Sequence, residues 1–204
     1  AAIGSDTGGS CRIPAALCGI VGYKPTAGTV PLDGALPLSF TLDSIGPLAN
    51  SVDCCASLHE ILSGTSLAGE GERSVRGLRI AVPQTIVFDG IEPYVAKTFE
   101  AAIKRLADAG AVVTEIALRE FEMVFRINAK GGFPAPEALS WHRELLEEHG
   151  EDYDPRVRAR ILRAKEQTAA DYIDMLHLRR AYIEETNRAI SPYDLIAMPT
   201  VPMV

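Results

Sequence analysis

Glycines and small polar residues are concentrated near the start of the chain. Residues 4–10, GSDTGGS, place three glycines and four small polar side chains in seven positions. Glycine has no Cβ atom and accepts positive φ, so successive backbone N–H groups in such a loop can converge on one oxygen atom. This is the outline of an oxyanion hole, and a serine, Ser10, follows at once. Clusters of this composition are also ordinary turns, so the loop alone leaves both interpretations open.

Two common motifs for nucleophiles and phosphates do not fit this loop. The nucleophile elbow of α/β hydrolases, G-x-S-x-G, fails because Ser10 is followed by Cys11 and Arg12. The phosphate-binding P-loop fails because the pattern G-x-x-x-x-G-K-[ST] is missing.

Two further catalytic interpretations each lack a partner. The triplet Asp6-Thr7-Gly8 is typical of aspartic proteases, but that chemistry needs two carboxylates that share a proton, so a single triplet would require a dimer. Cys11 as the nucleophile would need a nearby histidine or cation, and the nearest histidine in the sequence is His59.

A longer pattern distinguishes between these interpretations. Residues 4–26, GSDTGGSCRIPAALCGIVGYKPT, closely resemble the second half of the amidase signature, whose usual form is G-[ST]-D-T-G-G-S-I-R-x-P-A-[AS]-x-C-G-[VI]-x-G-x-K-P-[ST]. A match of this length is highly specific. The likeness is strong to about residue 63 and looser to the end of the chain. The sequence is therefore similar to the central part of an amidase-signature hydrolase.

The resemblance implies a role for each residue at the end of the loop. Ser10 is the expected nucleophile that accepts the acyl group. The backbone N–H groups of Thr7, Gly8 and Gly9, together with that of Ser10, form the expected oxyanion hole. No metal ion or organic cofactor is implied.

The resemblance also implies partners for the nucleophile that this chain does not match. Asp6 and Arg12 match polar residues that hold the loop in shape. The family's base is a lysine, relayed through a second serine after a cis peptide bond. Both lie upstream of this motif, and the chain lacks the family's G-G-S-S-[GS]-G stretch. We therefore expect residues 1–204 to be one amidase-signature domain truncated at its N-terminus and at its C-terminus. This fragment alone is expected to be inactive.

The implied reaction is hydrolysis of a C–N amide bond to an acid and an amine or ammonia, through an acyl-enzyme. The main hypothesis is an amidase acting on a small carboxamide or an aryl or acyl amide. One alternative is the glutamine-hydrolysing subunit of a tRNA-dependent amidotransferase. A third, from a different class, is a noncatalytic fragment or binding module.

Composition favours an enzyme with a small-molecule substrate, which the resemblance implies to be an amide. The net charge of -7 disfavours nucleic acid as a partner, because such binding depends on clustered Lys and Arg. No apolar run approaches the roughly 18 residues that cross a bilayer, so no membrane association is expected. The four cysteines lack C-x-x-C spacing and indicate reduced thiols in the cytoplasm. A homodimer remains open.

Hydrophobic periodicity predicts an α/β fold. Residues 78–82 and 111–116 are typical of strands, and the segment between them has one apolar helical face, so strand, helix and strand should form a parallel crossover unit. We expect this unit to share one mixed, largely parallel sheet, flanked by helices, with the segment that carries Ser10. A helix from the N-cap Ser51 to the stop at Gly64 is also predicted.

The second half of the chain is mainly helical by pattern. Helices are predicted near residues 137–148 and from the Asp154-Pro155 start, continuing with interruptions to about 190, before a buried strand at 193–199. Residues 64–77 are predicted to be a polar connection.

A few side chains outside the loop have competing interpretations. Phe133, after a Gly-Gly break, is a candidate for the substrate pocket, whereas Trp141 is expected in the core. Lys24 is expected to form a structural hydrogen bond, although a role as base for Ser10 is an alternative. The four histidines are expected on the surface.

Overall fold

The computed structural model describes residues 1–67 and 74–204, which form a mixed α/β fold as predicted. The strands are β1 (Ala2–Ser5), β2 (Val21–Gly22), β3 (Ile45–Ala49), β4 (Arg79–Pro83), β5 (Val112–Ile116) and β6 (Leu195–Ile196). The helices are α1 (Arg12–Cys18), α2 (Val52–Ser63), α3 (Pro93–Asp108), α4 (Met123–Ile127), α5 (Pro134–His149), α6 (Pro155–Leu162) and α7 (Ala169–Ile190).

Backbone contacts divide the chain into two compact units. Unit 1 comprises residues 1–67 and 127–177, and unit 2 comprises the described residues of 68–126 together with 178–204. The expectation of a single domain over residues 1–204 stays a prediction.

Unit 1 contains an antiparallel sheet in the order β1-β3-β2. In the β1–β3 pair Ala2 lies opposite Leu48, and Ser5 lies opposite Ile45. The middle of β3 requires glycine, because a Cβ atom on Gly46 would lie 1.9 Å from the carbonyl oxygen of Tyr23. This close packing fixes the end of β1, from which the Gly-rich loop leaves the sheet.

The predicted helix after Ser51 is confirmed as α2. The Ser51 side chain accepts a hydrogen bond from the N–H of Cys54 at 3.2 Å, and Gly64 ends the helix in the left-handed conformation.

Unit 2 contains the predicted strand-helix-strand unit. β4 pairs in parallel with β5 and also with β6, in the order β5-β4-β6, and α3 connects β4 to β5. The central strand is the buried one, since Ile80, Ala81 and Val82 are at most 4% exposed.

One part of the sheet prediction is wrong. Among the described residues the strands form two separate three-stranded sheets, so the segment with Ser10 does not share a sheet with β4 and β5. The reason is that β1 and β2 both pair antiparallel with β3, which completes a local sheet without the crossover unit. The final strand is also less buried than expected, because Leu195 is 50% exposed.

The helices of the second half begin where turn chemistry predicts. The Asp154 carboxylate accepts a hydrogen bond from the N–H of Arg156 at 2.8 Å and caps α6.

Trp141 was expected in the core, but it is 45% exposed on α5, where its ring contacts His142. Part of the predicted connection at 64–77, namely 68–73, lies outside the described residues. No described helix is long and apolar enough to cross a membrane.

Candidate active site

The Gly-rich loop connects β1 to α1 and is fastened to the segment before β3. The N–H of Asp6 donates to the carbonyl of Ser44 at 2.8 Å, and the N–H of Ser44 donates back at 3.2 Å. The Ser44 hydroxyl donates to the same Asp6 carbonyl. The loop therefore begins from a backbone position that the antiparallel sheet has already fixed.

The buried Asp6 carboxylate holds the loop in shape. Its two oxygens accept hydrogen bonds from the N–H of Gly9 at 2.7 Å and from the N–H of Cys11 at 3.2 Å. The Arg12 guanidinium donates to both oxygens, at 2.9 and 3.0 Å. Such a two-pronged Arg–carboxylate pair is strong and geometrically specific. The loop-supporting contacts expected for Asp6 and Arg12 are therefore present.

These contacts shift the pKa of Asp6. Burial by itself would raise the pKa of this carboxyl group, but the hydrogen bonds from Arg12, Gly9 and Cys11 and the Arg12 charge stabilise the ionised form more. As a result, the pKa falls from 3.8 to about 2. The carboxylate is charged in the folded protein at neutral pH.

The lowered pKa of Asp6 predicts a pH dependence of stability. Because the folded-state pKa lies below the unfolded value, Asp6 contributes stability that is fully present above pH 3.8 and is lost as the pH falls through about 2. The contribution is about 2 kcal/mol. We expect the difference in unfolding free energy between wild type and Asp6→Asn to shrink between pH 5 and pH 2 in urea titrations. A difference that stays constant over this range contradicts the assignment.

Gly9 adopts a backbone conformation that favours glycine. Its φ is +124°, and a Cβ atom there would lie 2.5 Å from Cδ1 of Ile13. The Gly9 carbonyl accepts a hydrogen bond from the N–H of Ile13 at 2.7 Å, which joins the loop to α1. The N–H of Gly9 points to Asp6, in contrast to the expectation that it faces a substrate oxygen. Gly9 therefore shapes the loop in this structure.

The remaining N–H groups of the loop are available. Among the described residues no acceptor pairs with the backbone N–H of Thr7, Gly8 or Ser10. Ser10 and Gly8 are exposed, and a Cβ atom on Gly8 would meet no atom within 4 Å. The loop thus presents a hydroxyl group and free N–H donors beside open space.

Cys11 lies beneath the loop and is inaccessible. It is 0% exposed, and its Sγ donates to the Gly46 carbonyl at 3.8 Å. Burial and the neighbouring Asp6 charge raise the pKa of the thiol above 9.0, which disfavours the reactive thiolate. The alternative in which Cys11 is the nucleophile is therefore disfavoured by both access and charge.

No base for Ser10 emerges from the described residues. The Lys24 ammonium group donates to the carbonyl of Pro25 at 2.6 Å, which matches the structural role expected for it. None of the hydrogen bonds within residues 1–67 and 74–204 joins Lys24 or a histidine to Ser10.

A cavity of about 200 Å³ lies beside the loop within unit 1. Its polar wall is formed by Ser5, Thr7 and Asp43. Its apolar wall is formed by Leu32, Ala35, Leu36, Pro37, Leu38, Phe40 and Ile45. Because Thr7 belongs to both the loop and the wall, this cavity reaches the start of the loop.

Phe133, expected in the substrate pocket, is buried and is not among the residues that line the cavity beside Thr7. Its side chain is 2% exposed and packs edge to face on Tyr172, with ring centroids 5.8 Å apart. The Gly131-Gly132 break turns the chain into α5 and places Phe133 in the core.

Within the described part of the chain, no group of three or more His, Cys, Asp and Glu residues could hold a metal ion.

Sequence reasoning missed two carboxylates that shape this region. Asp43 accepts a hydrogen bond from the Thr7 hydroxyl, and Glu137 is buried against the turn that precedes Asp43. In the sequence, Leu42-Asp43 is only part of the extended family likeness. Glu137 stands at the start of the helix predicted near residues 137–148, with no feature that assigned it a role.

The comparison with known families agrees with the resemblance of the Gly-rich loop to the amidase signature. The Amidase family model matches residues 1–204, the whole chain, and the chain belongs to the amidase family.

The individual relatives of this chain have names that describe different activities. The chain is 35% identical to a 2-amino-5-chloromuconic acid deaminase of Comamonas testosteroni, over 98% of this chain and 44% of that protein. It is 32% identical to one of the subunits of the glutamyl-tRNA(Gln) amidotransferase of Methanosarcina acetivorans, over 98% of this chain and 49% of that subunit. A crystal structure of an amidase superposes with a TM-score of 0.88 and 34% identity, over 98% of this chain and 45% of that one. The chain spans about half the length of the curated relatives it matches.

Proposed function

We propose that this chain carries the nucleophile and the oxyanion-binding loop of an amidase that acts through an acyl-enzyme. The observation that carries the proposal is the loop held by Asp6, which exposes the Ser10 hydroxyl next to the unpaired N–H groups of Thr7, Gly8 and Ser10. Membership of the amidase family supports the same assignment.

In the proposed reaction the Ser10 Oγ attacks the amide carbon as its proton is removed by a base. The carbonyl oxygen becomes an oxyanion, which the free N–H groups of the loop stabilise; in other acyl-transfer sites one such donor contributes about 3 to 4 kcal/mol. The C–N bond then breaks, the proton passes to the departing amine, and an ester to Ser10 remains. Water hydrolyses this ester and restores the serine hydroxyl.

The base is proposed to be the lysine of a Ser–cisSer–Lys triad. Neither this lysine nor the bridging serine matches a residue of the chain, and Lys24 is held by the Pro25 carbonyl instead. We therefore propose that both groups belong to a part of the protein outside these 204 residues. Residues 1–204 expressed alone should then lack measurable amidase activity, because an unactivated serine hydroxyl is a poor nucleophile.

The cavity beside Thr7 favours an uncharged, largely apolar amide as substrate. Leu36 and Phe40 are 69% and 68% exposed in its wall, and Asp43 is the charged group among its lining residues. An apolar acyl or aryl group would bury this surface, whereas an anionic group would face Asp43. Cofactors and nucleic acid are not part of the proposal, and a cytoplasmic location stays a prediction.

Glutamine hydrolysis is the second candidate function. The specific observation in its favour is the 32% identity, along nearly all of this chain, to one of the subunits of a glutamyl-tRNA(Gln) amidotransferase. Assays of the complete protein with glutamine and with apolar carboxamides separate the two, since the cavity favours the apolar series.

The proposed function is tested by labelling the nucleophile. A fluorophosphonate forms a P–O bond with an activated serine Oγ and releases fluoride. We expect the complete protein to be labelled at Ser10, as located by peptide mass spectrometry. The fraction of amide hydrolysis that is lost should equal the fraction of protein that is labelled. Stoichiometric labelling at another residue, together with full loss of activity, overturns the proposal.

A further inference from the structure

Glu137 is a buried carboxylate that the proposed mechanism does not use. It lies in the first turn of α5 and is 4% exposed. Four hydrogen bonds reach its two oxygens, and no lysine, arginine or histidine within the described residues forms an ion pair with it. A buried charge is costly unless it is satisfied by donors, so this arrangement fixes the geometry of all four donor groups.

Three of the four donors belong to one turn, residues 38–43. The Ser39 hydroxyl donates to Oε2 at 2.5 Å, the N–H of Thr41 donates to the same oxygen at 3.1 Å, and the Thr41 hydroxyl donates to Oε1. The fourth donor is the Tyr172 hydroxyl of α7, at 2.8 Å from Oε1. Glu137 thus attaches this turn to the helices of unit 1.

The same turn ends at the carboxylate that holds Thr7. Asp43 Oδ2 accepts from the N–H groups of Leu38 and Ser39, both at 2.9 Å, and Oδ1 accepts from the Thr7 hydroxyl at 2.5 Å. The turn itself is closed by the N–H of Asp43 donating to the Ser39 carbonyl at 2.7 Å. Glu137 and Thr7 are therefore joined through Ser39 and Asp43.

We propose that Glu137 is a positioning residue for the oxyanion-binding loop: by fixing the 38–43 turn it sets Asp43, which sets the orientation of Thr7 and the N–H donors that follow. This inference rests on the proposed function. Glu137 touches neither Ser10 nor the loop directly, so its effect on the reaction passes through Asp43.

The two carboxylate oxygens of Glu137 receive different kinds of donor. Oε2 receives a backbone N–H, which can only donate, whereas Oε1 receives two hydroxyls, which can also accept. A glutamine can keep its oxygen toward the N–H of Thr41 and turn its NH₂ toward the two hydroxyls. An alanine keeps none of these contacts. The two substitutions therefore form a graded series at one position.

The test compares kcat and KM for Glu137→Ala and Glu137→Gln in the complete protein. Misplacement of a catalytic group by about 1 Å costs about 100-fold, so the smaller shift expected for Glu137→Ala should lower kcat about tenfold. KM should change little, because the oxyanion exists only along the reaction path. Glu137→Gln should recover most of kcat. Ile80→Ala, which removes a buried side chain from β4 in unit 2, is the control for a general loss of stability.

A double-mutant cycle with Thr7→Val tests the route through Asp43. If Glu137 acts through Thr7, the double variant should lose no more kcat than the more damaging single variant. Additive losses in kcat overturn the inference. So does a kcat of Glu137→Ala equal to that of wild type, or a loss of kcat in Ile80→Ala as large as the loss in Glu137→Ala. The proposed function fails separately, when wild type shows no amide hydrolysis or Ser10→Ala retains it.

Discussion

Ser10→Ala in the complete protein is expected to lower kcat for amide hydrolysis by at least about 10⁴-fold, as loss of a nucleophile does in other acyl-transfer enzymes. The fold should be nearly unaffected, because Ser10 is exposed and the hydrogen bonds of the loop run through Asp6. Steady-state kinetics measure the first effect and thermal unfolding the second. Labelling by a fluorophosphonate should disappear in the same variant.

Cys11→Ala is the matched control for this prediction. The thiol is fully buried next to the Gly46 carbonyl, so its removal should lower the free energy of unfolding by about 1 kcal/mol while kcat stays near wild type. A Ser10→Ala protein that keeps turnover, combined with a Cys11→Ala protein that loses it, moves the nucleophile to the thiol.

Valine at the two adjacent glycines should have different effects on stability. Gly9→Val places a β-branched residue at φ +124° against Ile13, so it should lower both the unfolding free energy, by about 1 to 3 kcal/mol, and kcat, by about 100-fold. Gly8→Val meets no atom of the chain within 4 Å. It should leave stability unchanged yet lower kcat/KM, because its side chain occupies the space where substrate is proposed to bind.

Urea unfolding and steady-state kinetics on the two valine variants separate these effects. Unchanged kcat/KM in Gly8→Val shows that substrate approaches the loop from another side. Unchanged stability in Gly9→Val shows that the loop tolerates a side chain at positive φ and that Asp6 alone determines its shape.

Local signals were sufficient for several individual elements of the fold. The strand, helix and strand at 78–116 were predicted because each has a clear hydrophobic period, and the boundaries of α2 followed from the side chain of Ser51 and the conformation of Gly64. The start of α6 was predicted from Asp154-Pro155, because the Asp154 side chain caps the helix that Pro155 begins. These features depend on contacts within a few residues.

The errors concern contacts between distant residues. β3 contains Gly46 and Pro47, which hide a strand from any propensity argument, although the packing of Tyr23 makes the glycine necessary. The separation into two sheets follows from that strand. Phe133 and Trp141 are both in environments other than those expected, since Phe133 is buried at the N-cap of α5 and Trp141 is 45% exposed on that helix.

The candidate site divides in the same way. The Asp6, Gly9 and Arg12 contacts lie within six residues of one another and follow from a long family motif. The contacts of Glu137 with the 38–43 turn span almost 100 residues, and no local pattern predicts which residues it contacts. One usable signal is composition, since Ala135 and Ala138 beside it are small and buried.

The short range of the Asp6 contacts also has a consequence for folding. Bringing Asp6 to the N–H groups of Gly9 and Cys11 closes segments of only three to five residues, whereas pairing Asp6 with Ser44 closes 38. By the scaling of chain entropy with segment length, the longer closure costs about 2 kcal/mol more. The bend of the loop can thus form early and from local sequence, while its attachment to the sheet depends on completed tertiary structure. Substitutions in β1 and β3 that leave the 38–43 turn intact should therefore change the amount of folded enzyme more than the rate constant of each folded molecule.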